Sequence, residues 1–468
     1  MRPVHRSAKS ASRRRSSAPV QLMPEAEVRR VLENVLRLAR SLGAEETEVH
    51  LDETASSLTR FANNAIHQNV AEHGVHVSIR TVAGSRTARV TTNRLDDDSL
   101  RAAIEASMSL ARSQPGDPGL LPLPGRQTYR KVNRFVAATA RLTPEDRARA
   151  VRRACDFALE RGQVAAGIFS SSQTQAAVGN SRGLFATCRD THATFSITMQ
   201  QGSAASWAKA NAASVRDIAP QKLAQRASEK AQMATDAHEL APGPYTVILE
   251  PAAVLDLVGF LFYDFAATAL QDKRSCFNER MGRQLFGKEI TITDDVYHPL
   301  QLGAPFDGEG MPRQRVVLVD RGVPRNLVYA RRSAKAAGKR PTGHGFALPN
   351  EYGEAPMNLV FSGGDASLEK MIASTDRGLL VTRLWYIREV DPYEKVMTGM
   401  TRDGLFLVES GRVTSAVRNF RFNQSILEML RNVEMLGPAV RATGEEAFEM
   451  VVPAAKVHDF NFASSTKY

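Results

Sequence analysis

Residues 58–70 read Leu-Thr-Arg-Phe-Ala-Asn-Asn-Ala-Ile-His-Gln-Asn-Val. Leu58 to Phe61 and Ile66 to Val70 carry strand-like alternation, and Asn63-Asn64 between them is a pair that tolerates a tight turn. The stretch predicts a β-hairpin. Working outward, Val49 and Leu51 extend the pattern upstream. Val75, Val77 and Ile79 extend it downstream, followed by a Gly84-Ser85 turn and a further strand over Thr87 to Thr91. His73 and His76 form the one close histidine pair of this region. On a strand their odd offset sends the two imidazoles to opposite faces, so they share no ligand role.

Helical patterns bracket this β unit. Val28, Val31, Leu32, Val35, Leu38, Ala39 and Leu42 recur at helical spacing, with Pro24 suited to the first turn and Gly43 to the stop. Asp96-Asp97-Asp98 opens a second helix to about Arg112, acids being favoured at a helix N-terminus. Four prolines between Gln114 and Gly125 mark a linker. Thr143-Pro144-Glu145-Asp146 caps a helix to Arg161. Strands follow over residues 164–214, with Gly179 to Gly183 as their clearest turn, and then a helix from Gln221 to Ala237. Pro242-Gly243-Pro244 is the next boundary. Beyond it the pattern is mostly β, with strands at Tyr245–Leu249, Val316–Asp320, Leu379–Val390, Val396–Met400, Leu405–Glu409 and Val413–Val417. Two helices are expected there, Ala252 to Leu270 and Ser425 to Leu436.

The expected fold class is α+β: N-terminal and middle α/β regions followed by a large β-rich C-terminal domain. The expected divisions are a disordered basic tail over 1–22, an α/β domain over 23–113, a central domain over 126–241 and the β-rich domain over 242–468. The net charge of +11 is largely a tail property, because residues 1–22 hold six basic residues and no acid, which leaves +5 on the body. A basic run of this kind reads first as a solvated arm. No stretch approaches the ~18–20 apolar residues of a membrane span. The triple Arg13-Arg14-Arg15 lacks the apolar run of an export signal. Three widely spaced cysteines give no disulfide framework and suit a reducing cytoplasm.

Catalytic patterns are sparse. The zinc-peptidase motifs HExxH and HExxxH are both absent from the sequence. In those motifs two imidazoles hold the metal and the glutamate serves as base. The Gly-x-Ser-x-Gly elbow of a serine hydrolase is not expected anywhere in the chain. Cys155 and Cys188 read as packing residues. Cys276 follows Lys273-Arg274, which could lower its pKa, yet a packing or surface role is the stronger reading. Phe361-Ser-Gly-Gly-Asp365 lacks the ending of a phosphate loop and reads as a turn. Asp307-Gly-Glu309-Gly could bind a cation or a peptide amine; the favoured alternative is a turn whose acids cap backbone amides. Thr342-Gly-His344-Gly is read the same way.

Read together, several segments resemble the TldD/PmbA family of peptidase proteins. They are Thr59 to Asn69, Ile290 to Asp295, Pro305 to Gly310, Gly378 to Trp385, Thr398 to Gly404 and Asn419 to Ser425. The resemblance runs from about Pro24 to near the C-terminus and is closer to the PmbA (TldE) branch. It implies a cytoplasmic, heterodimeric metallopeptidase complex that trims extended or unfolded peptides. In that family the TldD branch binds zinc through the two histidines of HExxxH and a later cysteine. Here the segment 252–270 lies where that motif would fall, and it holds neither histidine nor cysteine. No cysteine follows Cys276 either. The implied role is a subunit without its own metal, paired with an HExxxH-bearing TldD-like subunit that carries the zinc. Asp307, Glu309, Thr342 and His344 are the expected substrate contacts, and no catalytic residue is assigned. Two other readings are open. One is a hydrolase of the same family with an unrecognised site using His344 and Asp307. The other is a basic nucleic-acid-binding protein.

Overall fold

The structure, a computed structural model, describes residues 20–466. Most of the expected basic tail therefore lies outside the described residues. Its last three positions do not behave as a tail. Leu22 is buried, and the Val20 carbonyl accepts a hydrogen bond from Gln173.

The N-terminal half begins with α1 (Glu25–Ser41), β1 (Glu46–Ala62), β2 (Ala65–Ala83), β3 (Arg86–Thr92) and α2 (Asp97–Ser113). It continues with α3 (Ala137–Ala140), α4 (Pro144–Leu159), β4 (Val164–Asn180), β5 (Phe185–Gln201), β6 (Ala204–Ala212) and α5 (Pro220–Met233). The hairpin forms as read, with Asn63 and Asn64 both at positive φ, 50° and 59°. The short strands of the sequence reading merge into two long ones of 17 and 19 residues. At ~3.3 Å per residue each spans roughly 55–60 Å.

All six strands make one sheet in the order β3-β2-β1-β4-β5-β6. The expected division at the 114–125 linker is therefore not a division of the sheet. β1 pairs with β4 along its length, Glu48 opposite Asn180 through Phe61 opposite Gly167. The linker separates two helical pairs instead. Leu51 and Ala177 sit under α1 and α2, while Phe61 and Phe169 sit under α4 and α5. These residues share one side of the pleat, so both helical pairs cover the same face. Amphipathic spacing explains α1, whose Val28, Leu32, Val35 and Leu38 are buried. Thr143 and Asp146 cap α4 reciprocally. The opposite face carries Val178 and Ala186 against Phe306 of the C-terminal half.

The C-terminal half runs β7 (Gly243–Leu249), α6 (Pro251–Val258), α7 (Ala267–Gln271), β8 (Ile292–Asp294), β9 (Val316–Asp320) and β10 (Val323–Pro324). Then come α8 (Arg331–Ala336), β11 (Leu359–Phe361), α9 (Leu368–Ala373), β12 (Arg377–Asp391), β13 (Val396–Glu409), β14 (Arg412–Ala416) and β15 (Phe420–Ser425). It ends with α10 (Ile426–Arg431), β16 (Val433–Leu436), β17 (Val440–Ala442), β18 (Met450–Val452) and β19 (Ala455–Ser465). One sheet has the order β10-β9-β8-β11-β18-β17. In the other, β12-β7-β19-β15-β13 closes on itself because β12 also pairs with β13. β14 hangs on β13 and β16 on β19, outside this closed ring.

Two expected helices are corrected. The Ala252–Leu270 helix is three pieces: α6, a 3-10 run over Gly259–Phe265 and α7, with Ala266 extended between the last two. The Ser425–Leu436 helix ends at Arg431, and Val433–Leu436 is a strand on β19. Both segments are buried on most sides, so an apolar run gave no periodicity to separate helix from strand.

Candidate functional site

The four residues expected to touch substrate do come together, but inside the protein. Asp307 and Glu309 lie on the loop before β9, and Thr342 and His344 on the loop after α8. One Asp307 oxygen accepts the backbone N–H groups of Glu309 (2.9 Å) and Met311 (2.8 Å), and the other accepts Gly345 N–H (2.7 Å). Glu309 accepts the Arg331 N–H at 3.0 Å. Gly345 is required between them, since a Cβ there would stand 2.6 Å from the Glu309 carboxylate. His344 bridges Asp294 (2.8 Å) and Thr342 Oγ1 (2.9 Å).

The Asp294–His344–Thr342 chain has the order of a nucleophilic relay, but its chemistry is engaged elsewhere. Thr342 Oγ1 accepts the Tyr329 N–H at 2.8 Å. The His344 and Asp294 side chains have no exposed surface. Burial pushes the Asp307 carboxyl up. Burial and the nearby Asp307 push Glu309 up to about 7. Burial also works against the Asp294 carboxylate, yet His344 holds it below its ordinary range. Glu309 lines a pocket of about 70 Å³ together with Asp117, Gly119 to Leu121 and Leu348 to Asn350.

The larger opening lies where α6 gives way to the 3-10 run. This cleft of about 390 Å³ is lined by Gly259, Phe260, Phe262, Tyr263, Asp264 and Arg274, and across from them by Glu389, Pro392, Lys395, Glu446, Ala447 and Phe448. Lys395 ends the β12–β13 turn at φ 48°. Its ammonium lies 2.7 Å from Asp264 and 2.6 Å from Glu389. Burial alone would lower the Lys395 pKa; the two carboxylates outweigh it and hold it above the ordinary value. The lysine is a fixed cation. Behind the cleft, buried Asp256 accepts the N–H groups of Glu445 (3.2 Å) and Glu446 (3.1 Å) through one oxygen. Its other oxygen has no partner. Burial pushes Asp256 up to about 7 against those two hydrogen bonds. Lys395, Glu389 and Phe448 escaped sequence reading because a turn lysine and a strand glutamate look like surface residues until the fold joins them.

The remaining motifs resolve locally. Cys276 is buried, and burial and Asp264 push its thiol far up, which agrees with the stronger reading of a packing residue over one activated by Lys273 and Arg274. Burial raises Cys155 and Cys188 to about 11. Gly179-Asn-Ser-Arg-Gly183 does have Gly-x-Ser-x-Gly spacing. It joins β4 to β5 rather than a strand to a helix, and Ser181 Oγ accepts the Thr47 N–H at 3.1 Å, so it is no nucleophile elbow. His238 is followed by Glu239, but Pro242 and Gly243 stand where a second histidine would be needed. His238 forms a backbone bridge to Val417.

These side chains do not fit a resident zinc. Across Gly259–Phe265 the one carboxylate is Asp264, whose oxygens are taken by Lys395 and by the Cys276 N–H at 2.7 Å. Among the described residues no three His, Cys, Asp or Glu side chains converge as a metal site.

The profile of the PmbA/TldA metallopeptidase C-terminal domain matches residues 242–464. That of domain 1 of the same family matches residues 48–111, so together they take in more than half of the chain. The chain belongs to the PmbA/TldD family. An uncharacterised protein of Methanocaldococcus jannaschii is 29% identical over 192 residues, 40% of this chain and 45% of the relative. The metalloprotease PmbA of Escherichia coli O157:H7 is 23% identical over 218 residues, 45% of each chain. The match thus spans about half the length of these family relatives. The crystal structure of TldE from Thermococcus kodakarensis shares the fold, with a TM-score of 0.84 at 21% identity over 92% of this chain and all of that one. Among the described residues no helix is long and apolar enough to cross a membrane.

Proposed function

We propose that this chain is the TldE-like, non-catalytic subunit of a cytoplasmic TldD-type zinc metallopeptidase complex that acts on extended or unfolded peptides. The observation that carries the reading is the donor set where the family's motif falls. Asp256 caps backbone amides, Asp264 holds a lysine, and neither histidine nor cysteine is present. A buried ammonium between two carboxylates supplies a positive charge but no coordination site.

The subunit's contribution is geometric. β2 pairs with β3 only from Val77 onward. From Ala65 to His76 its outer edge therefore has no strand beside it among the described residues. That edge, Ala-Ile-His-Gln-Asn-Val-Ala-Glu-His-Gly-Val-His, contains no lysine or proline to repel another strand. Such an edge suits pairing with a companion subunit or with an extended backbone.

Co-expression with an HExxxH-bearing relative tests the reading. The expected result is a stable complex that cleaves unfolded peptides, with the zinc in the relative. Failure to associate, or full activity of the relative without this chain, contradicts it.

A further inference from the structure

The cleft beside the 3-10 run has two unlike walls. Phe260, Phe262 and Phe448 are apolar, and the Phe262 and Phe448 rings meet edge to face with centroids 5.4 Å apart. A third ring or a branched aliphatic chain is a natural neighbour for such a pair. The polar floor is the Asp264–Lys395–Glu389 row. An ammonium has three N–H donors. Two of these point to Asp264 and Glu389, which leaves the third without a protein acceptor. Glu389 is about one-third exposed and uses one oxygen on Lys395. A free donor and a free acceptor therefore stand side by side, the complement of the C=O and N–H that one residue of an extended chain presents on the same side. Arg274 is already engaged at the rim by Asp272, at 2.8 Å. Glu446 is held by the Tyr386 N–H at 2.6 Å. The lining sets the three carboxylates Asp264, Glu389 and Glu446 against the cations of Lys395 and Arg274, and Arg388 lies 3.8 Å from Glu446, so the charges of the cleft nearly balance. Its volume of about 390 Å³ is near the lower end of the range for small-ligand sites, roughly 300–1,000 Å³. It accommodates one or two side chains and no folded partner.

We propose that this cleft seats a large apolar side chain of an extended polypeptide, with the C=O and N–H of one adjoining backbone residue held by Lys395 and Glu389. The ligand class rests on the peptidase-subunit reading; the site itself rests on the cavity. On this view the subunit selects peptides by sequence as well as by lack of fold. Phe262 and Phe448 determine specificity, while Lys395 and Glu389 position the backbone and break no bond.

The test uses the full chain alone and fluorescein-labelled unstructured decapeptides with one central Phe, Leu, Ala or Lys in a Gly/Ser background. Binding is read by fluorescence anisotropy. The Phe and Leu peptides are expected to bind roughly ten- to a hundredfold more tightly than the Ala peptide, from burial of the side chain. Phe448→Ala should erase that ratio. Glu389→Gln should weaken every peptide and leave the ratio intact, with melting temperatures confirming that both variants fold. Equal binding of Phe and Ala peptides, tightest binding of the Lys peptide, or no binding at all would overturn the proposal. The measurement needs neither zinc nor companion. A chain that binds no peptide yet supports a companion's cleavage sinks only the cleft; one that binds Phe peptides yet never assembles sinks only the subunit role.

Discussion

Asp256 is a buried acid with one oxygen unpaired, and its protonation is coupled to folding. Its carboxyl is held at about 7 in the folded chain against an ordinary 3.8. The folded state therefore binds the proton more tightly than the unfolded state does. The stability this contributes is complete below about pH 4 and is lost as pH rises through about 7. Glu309, raised to about 7 from 4.5, acts in the same direction. The double variant Asp256→Asn, Glu309→Gln is neutral at both sites at every pH. Its melting temperature should vary less than the native chain's between pH 5 and 8 and exceed it at pH 8, where neutralising each site is worth on the order of 3–4 kcal/mol. An unchanged pH profile would show that neither carboxyl titrates there.

At the same scale, the buried His344 bridges Asp294 and Thr342. His344→Ala takes from the buried Asp294 its side-chain partner, leaving the Asn358 N–H at 2.7 Å and the more distant charge of Arg313. Breaking such a pair costs roughly 3–5 kcal/mol. Urea denaturation should show that loss, whereas unchanged stability would point to a role beyond structure.

Elements differed in how far the sequence disclosed them. The Asn63-Asn64 turn, the amphipathic α1 and the Thr143 cap are local devices, and each was legible from its own residues. The joining of β1 to β4 was not, because that pairing brings together residues more than a hundred positions apart and leaves no mark on either strand. The Gly259–Phe265 run was hidden because its near-continuous apolar residues show no periodicity, and with it the Phe262 and Lys395 walls of the cleft. Asp307, Glu309, Thr342 and His344 were legible as a set of polar loop residues, but their burial was not, since sequence spacing does not tell a solvated turn from a packed one. β2 carries the prediction at this scale. In the isolated chain, outward-facing amides between Ala65 and His76 should exchange quickly with solvent, because no strand covers them. In a complex they should become protected. Fast exchange in both states would place the companion elsewhere.

In the whole molecule, the two halves are joined across the helix-free face of the long sheet. Tyr129 Oη donates to the Gly310 carbonyl at 2.7 Å, Arg134 to the His298 carbonyl at 2.8 Å and Arg89 to the Leu348 carbonyl at 2.6 Å. Lys209 reaches the Gly444 carbonyl at 3.1 Å, beside the amides that cap Asp256. The cleft is thus built on a frame fixed from both sides. Zinc content and peptide cleavage, measured together on the chain purified without a companion, test the proposed non-catalytic role most directly. Far less than one zinc per chain and no cleavage are expected. One zinc per chain, with cleavage that a chelator abolishes and added zinc restores, would contradict the account.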